Sequence, residues 1–152
     1  MCFLGVDIGG TSVRSLVTDA GGKILGYQRI ARVSHESLWQ AINDCLGTVL
    51  AQSSVVHVEA AVVGAAGAGP TGNHDVCQSV EKAFRAVGLD VTPQVVTDIE
   101  IAYWSAAVLG DGSILVAGTG AIAGRFSEWR CVDRRDGAGW LLGDHGSGYW
   151  IG

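Results

Sequence analysis

Asp7-Ile8-Gly9-Gly10-Thr11-Ser12 is the stretch whose residue types and order could do chemistry. It lies between two runs rich in apolar residues, Met1–Val6 and Val13–Val17, and both read as strands. The glycines therefore fall at the turn of a hairpin. Gly9 and Gly10 carry no Cβ, so the backbone can turn tightly and bring amide N–H groups against a ligand. Thr11 and Ser12 add hydroxyl donors, and Asp7 adds a carboxylate beside which a hydrated Mg2+ could sit. Amides, hydroxyls and one acid together suit the phosphate tail of a nucleotide. The same residues also make an ordinary Gly-Gly hairpin, and this segment alone leaves the two readings even.

The device recurs. Ser113–Ala117 reads as a strand, Gly118-Thr119-Gly120 as a turn, and Ala121–Phe126 as a strand pairing back. Between the two hairpins stands Asp98. It follows the short strand Gln94–Thr97 and precedes a helix over Ile99–Leu109, a usual place for catalytic groups in α/β sheets. An Asp there is also a good helix N-cap, and the two roles can coexist. Glu100 is the nearest competing carboxylate and is expected to face away on the first helical turn.

The elements that must position these groups follow from periodicity. Strands are expected at Cys2–Asp7, Val13–Thr18 and Lys23–Arg32, the last two joined by Ala20-Gly21-Gly22. A helix over His35–Ala51 carries Leu38, Ala41, Ile42, Cys45, Leu46 and Val49 on one face, with Ser34 as its candidate N-cap. Val55–Ala65 reads as a buried strand that runs into a loop of small residues, Gly64–Pro70. Asp75–Val87 reads as a helix stopped at Gly88. The order β-β-β-α-β-α-β-α buries a mixed sheet between helices. The second hairpin suggests a second, related domain starting near residue 112. Too few residues follow for a complete one, so the expectation is a full first domain over 1–111, an incomplete second over 112–152, and a chain that is a fragment.

Composition excludes several classes. Hydrophobic residues make up 48% and charged residues only 16%, which points to a buried α/β sheet or a surface meant to be covered. Net charge is −5 with no basic run, which argues against nucleic acid as a partner. No apolar stretch is long enough to span a bilayer, since His57 and Glu59 interrupt the Val55–Ala66 run, and the N-terminus lacks the charged start of a signal peptide. Cys2, Cys45, Cys77 and Cys131 are scattered without a CxxC pair, so zinc or iron–sulfur binding is not expected. They read as free thiols in a reducing cytoplasm. His35, His57 and His74 have no ligand spacing.

Four segments then line up in order: DIGGTS at Asp7–Ser12, TDIE at Thr97–Glu100, AGTGA at Ala117–Ala121 and GWLLGDHGSGYWIG at Gly139–Gly152. Together they resemble the N-acetylglucosamine kinase and BadF/BadG/BcrA/BcrD-type group of the actin/hexokinase/Hsp70 ATPase superfamily, over essentially the whole chain. The last segment is the specific one. The resemblance implies a ribonuclease H-like (actin-like ATPase) fold, α/β, with two lobes and a cleft between them. It implies ATP and Mg2+ at the two Gly-rich hairpins, through Gly9, Gly10, Thr11 and Ser12 on one side and Gly118, Thr119 and Gly120 on the other, with Asp7 supporting the metal. It implies Asp98 as the base toward a sugar hydroxyl, and Gly67, Gly139, Trp140 and Asp144 as sugar contacts beside it. An indole offers an apolar face to a pyranose, and a carboxylate can accept two hydroxyl hydrogen bonds.

The expected activity is transfer of the ATP γ-phosphate to N-acetylglucosamine or glucosamine, at O6. Departures lie at Ala65-Ala66-Gly67, where the family often has a Ser, at Ser34-His35, where it often has an Asn, and at His145, where an acid is common. They leave the sugar's identity open. Two rivals come from the same superfamily or beyond it. An activator ATPase of 2-hydroxyacyl-CoA dehydratases would need clustered cysteines, and a non-catalytic sugar-binding regulator would carry a DNA-binding segment before the first strand. The fragment alone is expected to turn over little or no ATP and, with uncovered strands, either to self-associate, a homodimer being one form, or to be partly disordered beyond about residue 112.

Overall fold

The computed structural model describes residues 1–32, 37–66, 68, 74–107 and 109–152. They fall into two compact units, Met1–Asp98 and Ile99–Gly152.

In the first unit β1 (Cys2–Ile8), β2 (Ser12–Asp19) and β3 (Ile24–Ala31) form an antiparallel meander. Helix α1 (Leu38–Ser53), β4 (Ala60–Ala65), helix α2 (His74–Ala86) and β5 (Gln94–Thr97) follow. The sheet order is β3-β2-β1-β4-β5, with β1–β4 and β4–β5 parallel. The register pairs Ile8 with Ala65 and Ala65 with Thr97, so three parallel strands end together on one edge.

Alternation along β1 sends Leu4, Val6 and Ile8 into the core and leaves Phe3, Gly5 and Asp7 on the other face. Helix α1 covers the core with Ala41, Ile42, Cys45, Leu46 and Val49, the apolar face its spacing predicts. Helix α2 adds Val76, Val80, Ala83 and Phe84 and is followed by Gly88 at φ +75°, where the sequence places its stop. One polar side chain lies deep in this core. The Ser15 hydroxyl donates to the Cys45 carbonyl at 3.2 Å, which satisfies it.

One expectation differs. The strand predicted over Val55–Ala65 begins only at Ala60, and Val56 is 94% exposed. Pairing starts at Phe3↔Ala60, so β1 has almost no residues left against which an earlier stretch could pair. The expected cap Ser34 and the helix start at His35 lie outside the described residues. The described helix begins after Ser37, whose amide donates to Gln40 Oε1 at 3.3 Å.

In the second unit α3 (Asp98–Ala106) packs Ile99 and Tyr103 against Phe126, with the Tyr103 and Phe126 rings stacked at 3.9 Å. The sheet is an antiparallel meander of β6 (Gly112–Ala117), β7 (Ala121–Ser127) and β8 (Arg130–Asp136), followed by the short α4 (Gly148–Ile151). Strand β8 was not expected from the sequence. Its turn from β7 uses Glu128 and Trp129 at φ 50° and 66°, without the glycine or asparagine that left-handed turns favour. Neighbouring groups impose the turn instead. Glu128 N–H donates to Asp111 Oδ1 at 2.8 Å, Trp129 N–H to the Gly110 carbonyl at 2.8 Å, and Trp104 Nε1 to the Trp129 carbonyl at 2.9 Å. Among the described residues no helix is long and apolar enough to cross a membrane.

A left-handed Glu is strained where an Asn is tolerated. Glu128→Asn, which keeps the amide bond to Asp111, should raise stability by a few tenths to about 1 kcal/mol. Thermal unfolding followed by tryptophan fluorescence measures this, and a lower Tm would refute the strain.

Candidate functional site

In the first unit the β1–β2 turn is closed by Gly9 N–H donating to the Ser12 carbonyl at 2.9 Å. A Cβ at Gly9 would meet only Ser12 O, at 3.5 Å, and one at Gly10 would meet nothing within 4 Å. The space beside these glycines is thus open. Gly10 and Thr11 are exposed, whereas Ser12 turns inward and is 5% exposed.

Arg32, just past β3, holds this turn from outside: its amide donates to the Thr11 carbonyl at 2.9 Å and its Nη1 to the Gly9 carbonyl at 3.2 Å. Asp7 pairs with Arg14, which lies directly opposite it in the β1–β2 register, at 3.2 Å. Burial pushes the Asp7 carboxyl above the usual carboxylate range. Arg14 opposes that rise, and the charge of Asp98 adds to it. Asp98 follows Thr97 at the end of β5 and opens α3. Asp7 and Asp98, two of the residues singled out in the sequence, therefore sense each other at one edge of the sheet. Gly67 lies outside the described residues.

In the second unit the β6–β7 turn is closed by Gly118 N–H donating to the Gly120 carbonyl at 2.8 Å. Asp144, 9% exposed, lies against it: its Oδ1 accepts from Ala121 N–H at 3.2 Å. A Cβ at Gly120 would stand 3.0 Å from Asp144 Oδ2, so the carboxylate's close approach is what this glycine permits. Gly148 N–H donates to the Gly118 carbonyl at 2.7 Å, which ties the start of α4 to the same turn.

Asp144 is itself left-handed, at φ 59°. Its amide donates to Asp136 Oδ1 at 2.5 Å, and the His145 amide to Asp136 Oδ2 at 2.9 Å. Those two amides, in that order, and then the His145 ring bring the Asp136 carboxyl down to about 2. Trp140 is 59% exposed, tilted against Tyr149 with ring centroids 5.2 Å apart, and follows Gly139 at φ +80°. Trp150 is 62% exposed. Trp39 lies under Lys82, whose Nζ is 3.9 Å from the ring centroid.

The sequence reading missed Arg14, Arg32 and Asp136. Arg14 was within reach, because a tight turn over residues 9–12 places it opposite Asp7. Arg32 and Asp136 act through tertiary register that no local pattern announces.

The order β3-β2-β1-β4-β5, antiparallel then parallel, is the ribonuclease H-like sheet of the actin-like ATPases. The chain belongs to the BadF/BadG/BcrA/BcrD ATPase family, whose sequence profile matches residues 4–152. It is 30% identical, over 98% of its length, to an N-acetylmuramic acid/N-acetylglucosamine kinase of Clostridium acetobutylicum. It spans 50% of that relative's length. Its fold is similar to two solved structures of proteins assigned as N-acetylglucosamine kinases. The one from Porphyromonas gingivalis gives a TM-score of 0.75 at 20% identity, with 95% of this chain and 51% of that chain covered. The one from Chromobacterium violaceum gives 0.73 at 24% identity, with 99% and 53% covered.

A carboxyl lowered on folding stabilises the fold above its unfolded value, near 3.8, and that stability is lost as pH falls toward 2. Asp136→Asn should therefore flatten the acid dependence of unfolding between pH 4 and pH 2. Acid titrations of wild type and variant followed by tryptophan emission test this, and identical titrations would refute the assigned role of Asp136.

Proposed function

We propose that the protein is an ATP-dependent aminosugar kinase, that residues 1–111 form its first lobe and that 112–152 begin its second. The observation that carries this reading is the Asp7 carboxyl at the end of β1, raised by burial and further by the charge of Asp98, beside an open glycine turn. A divalent cation would relieve that repulsion, so the residues fit Mg2+ near Asp7, held through water. The kinship to a kinase of N-acetylmuramic acid and N-acetylglucosamine supports that acceptor class. Four thiols without a disulfide fit a cytoplasmic protein.

MgATP, when bound, supplies the activated phosphoryl group; the chain supplies positions and charge. Amides of Gly10, Thr11, Thr119 and Gly120 and the hydroxyls of Thr11 and Thr119 donate to phosphate oxygens, while Gly9, Ser12 and Gly118 shape the two turns that present them. Asp98 orients the acceptor hydroxyl and accepts its proton as the bond to phosphorus forms. Asp144 accepts from sugar hydroxyls, Trp140 offers the ring an apolar face, and Gly139 and Gly67 let backbone approach the sugar.

Two substitutions separate site from fold. In a kinase-active protein containing this chain, Asp98→Asn should lower kcat by about 10²- to 10⁴-fold. Phosphorylation of N-acetylglucosamine, glucosamine, N-acetylmuramic acid and glucose is the assay, and near wild-type turnover would exclude Asp98 as base. Asp7 carries a raised carboxyl, which costs stability at every pH above its unfolded value. Asp7→Asn should thus leave Tm at pH 7 unchanged or higher while weakening Mg2+-dependent nucleotide binding. A clear fall in Tm with intact nucleotide binding would contradict the assignment.

A further inference from the structure

We infer that Asp136 is a positioning residue: its carboxylate holds the Trp140–Asp144 loop and, through Asp144, the Gly118–Gly120 turn in one fixed arrangement. What those two segments bind rests on the kinase reading above; the linkage itself rests on geometry within the second unit.

Asp136 ends β8 at φ 64°, and Gly137 follows at φ 71°. A left-handed Asp and a left-handed Gly in succession turn the chain out of the sheet at that point. The Asp136 side chain then reaches forward along the sequence. It takes the amides of Asp144 and His145 on separate oxygens, and the His145 ring Nδ1 lies 3.2 Å from Oδ2. Charge-assisted bonds to two successive amides fix the backbone of Asp144 in a left-handed conformation that an Asp otherwise disfavours. A Cβ at Gly143 would run into the Asp136 carboxylate, so the glycine before Asp144 is what admits this contact.

With its backbone fixed, Asp144 aims its own carboxylate at Ala121 N–H and closes on Gly120. The Asp144 carbonyl accepts from Ser147 N–H at 3.0 Å, and the fully buried Ser147 caps α4 by accepting from Trp150 N–H at 3.1 Å. Gly148 N–H completes the circuit on the Gly118 carbonyl. Each link depends on the aim of the one before it. Asp136 therefore sets the placement of a turn whose residues lie sixteen to eighteen positions earlier in the chain (136 − 120 and 136 − 118). The carboxyl is ionised across the physiological range, which keeps both oxygens available as acceptors.

The decisive measurement is amide hydrogen exchange by NMR on this chain, comparing wild type with Asp136→Asn and Asp136→Ala. Asn keeps the size and one acceptor oxygen, so it guards against a variant that merely unfolds. The amides of Ala121 and Gly148, whose acceptors are Asp144 Oδ1 and the Gly118 carbonyl, should exchange about tenfold faster or more in both variants. Amides of Ile114 to Val116 in the β6–β7 ladder should keep their protection. Unchanged protection at Ala121 and Gly148 would overturn the linkage, and so would a uniform loss across β6–β8 in both variants.

In a kinase-active protein containing the chain, the same variants should raise KM for acceptor and for ATP together, by about tenfold, with a smaller change in kcat. A lowered kcat with both KM values unchanged would signal only a smaller folded fraction, and would count against positioning. Failure of the kinase reading shows separately, as absence of sugar phosphorylation by the unmodified protein, and leaves the exchange result to decide.

Discussion

Parallel pairing of β1 with β4 and of β4 with β5 brings three strand ends to one edge, and Asp7 and Asp98 come to that edge with them. Two partly buried carboxylates that repel each other are a cost that packing does not explain. The Arg14 guanidinium directly across from Asp7 offsets part of it. A hydrophobic core of Leu4, Val6, Ile8, Val63, Ala65 and the α1 face makes the edge rigid, so the charges cannot separate by relaxing the strands. The raised carboxyl of Asp7 is thus built into the edge of the sheet.

Each glycine turn is steadied by an ionic side chain from outside its own hairpin. Arg32 holds carbonyls of the first turn, and Asp144, itself held by Asp136, holds the amide that follows the second. The signs are opposite because the backbone groups differ: a cation serves carbonyls and an anion serves amides. In the first turn the external clamp leaves the flanks of Gly9 and Gly10 open, while the Gly9 amide itself is spent on the Ser12 carbonyl. In the second turn Gly120 is closed over by Asp144, while a Cβ at Gly118 would meet nothing within 4 Å, so the open side is narrower. The two hairpins look alike in sequence and are not equivalent in space.

The meander, both flanking helices of the first unit and the two glycine turns were legible in the sequence, because their signals are local. Period-2 alternation marks β1, helical spacing marks α1, and Gly88 marks the end of α2. What escaped was set by distant groups. Strand β8 is charged along Arg130–Asp136, and its turn, Glu128-Trp129, contains none of the usual turn residues, since Asp111, Gly110 and Trp104 hold it in place. Val55–Val58 has the composition of a strand but does not join the sheet, because β1 runs out at Cys2, whose carbonyl takes the Glu59 amide. Of the candidate site, Asp7, Asp98 and the two glycine turns stood out by type and spacing. Arg32 and Asp136, which place them, were not, because nothing about an isolated Arg or Asp reveals which backbone it will reach.

Asp7 carries charge that the fold would be more stable without, whereas Asp136 carries charge the fold uses. The sign of the carboxyl's shift separates the two kinds of acid: upward where a ligand is needed to complete the balance, downward where backbone amides already complete it. Asp144 combines both demands. Its Oδ1 is engaged with Ala121 N–H, yet the left-handed backbone it occupies is an arrangement that packing alone would not select. Strain upheld by a neighbouring Asp, in a loop that also presents an exposed indole, makes sense where the loop's exact placement matters for something it binds. A loop serving only to connect β8 to α4 would have no need of it.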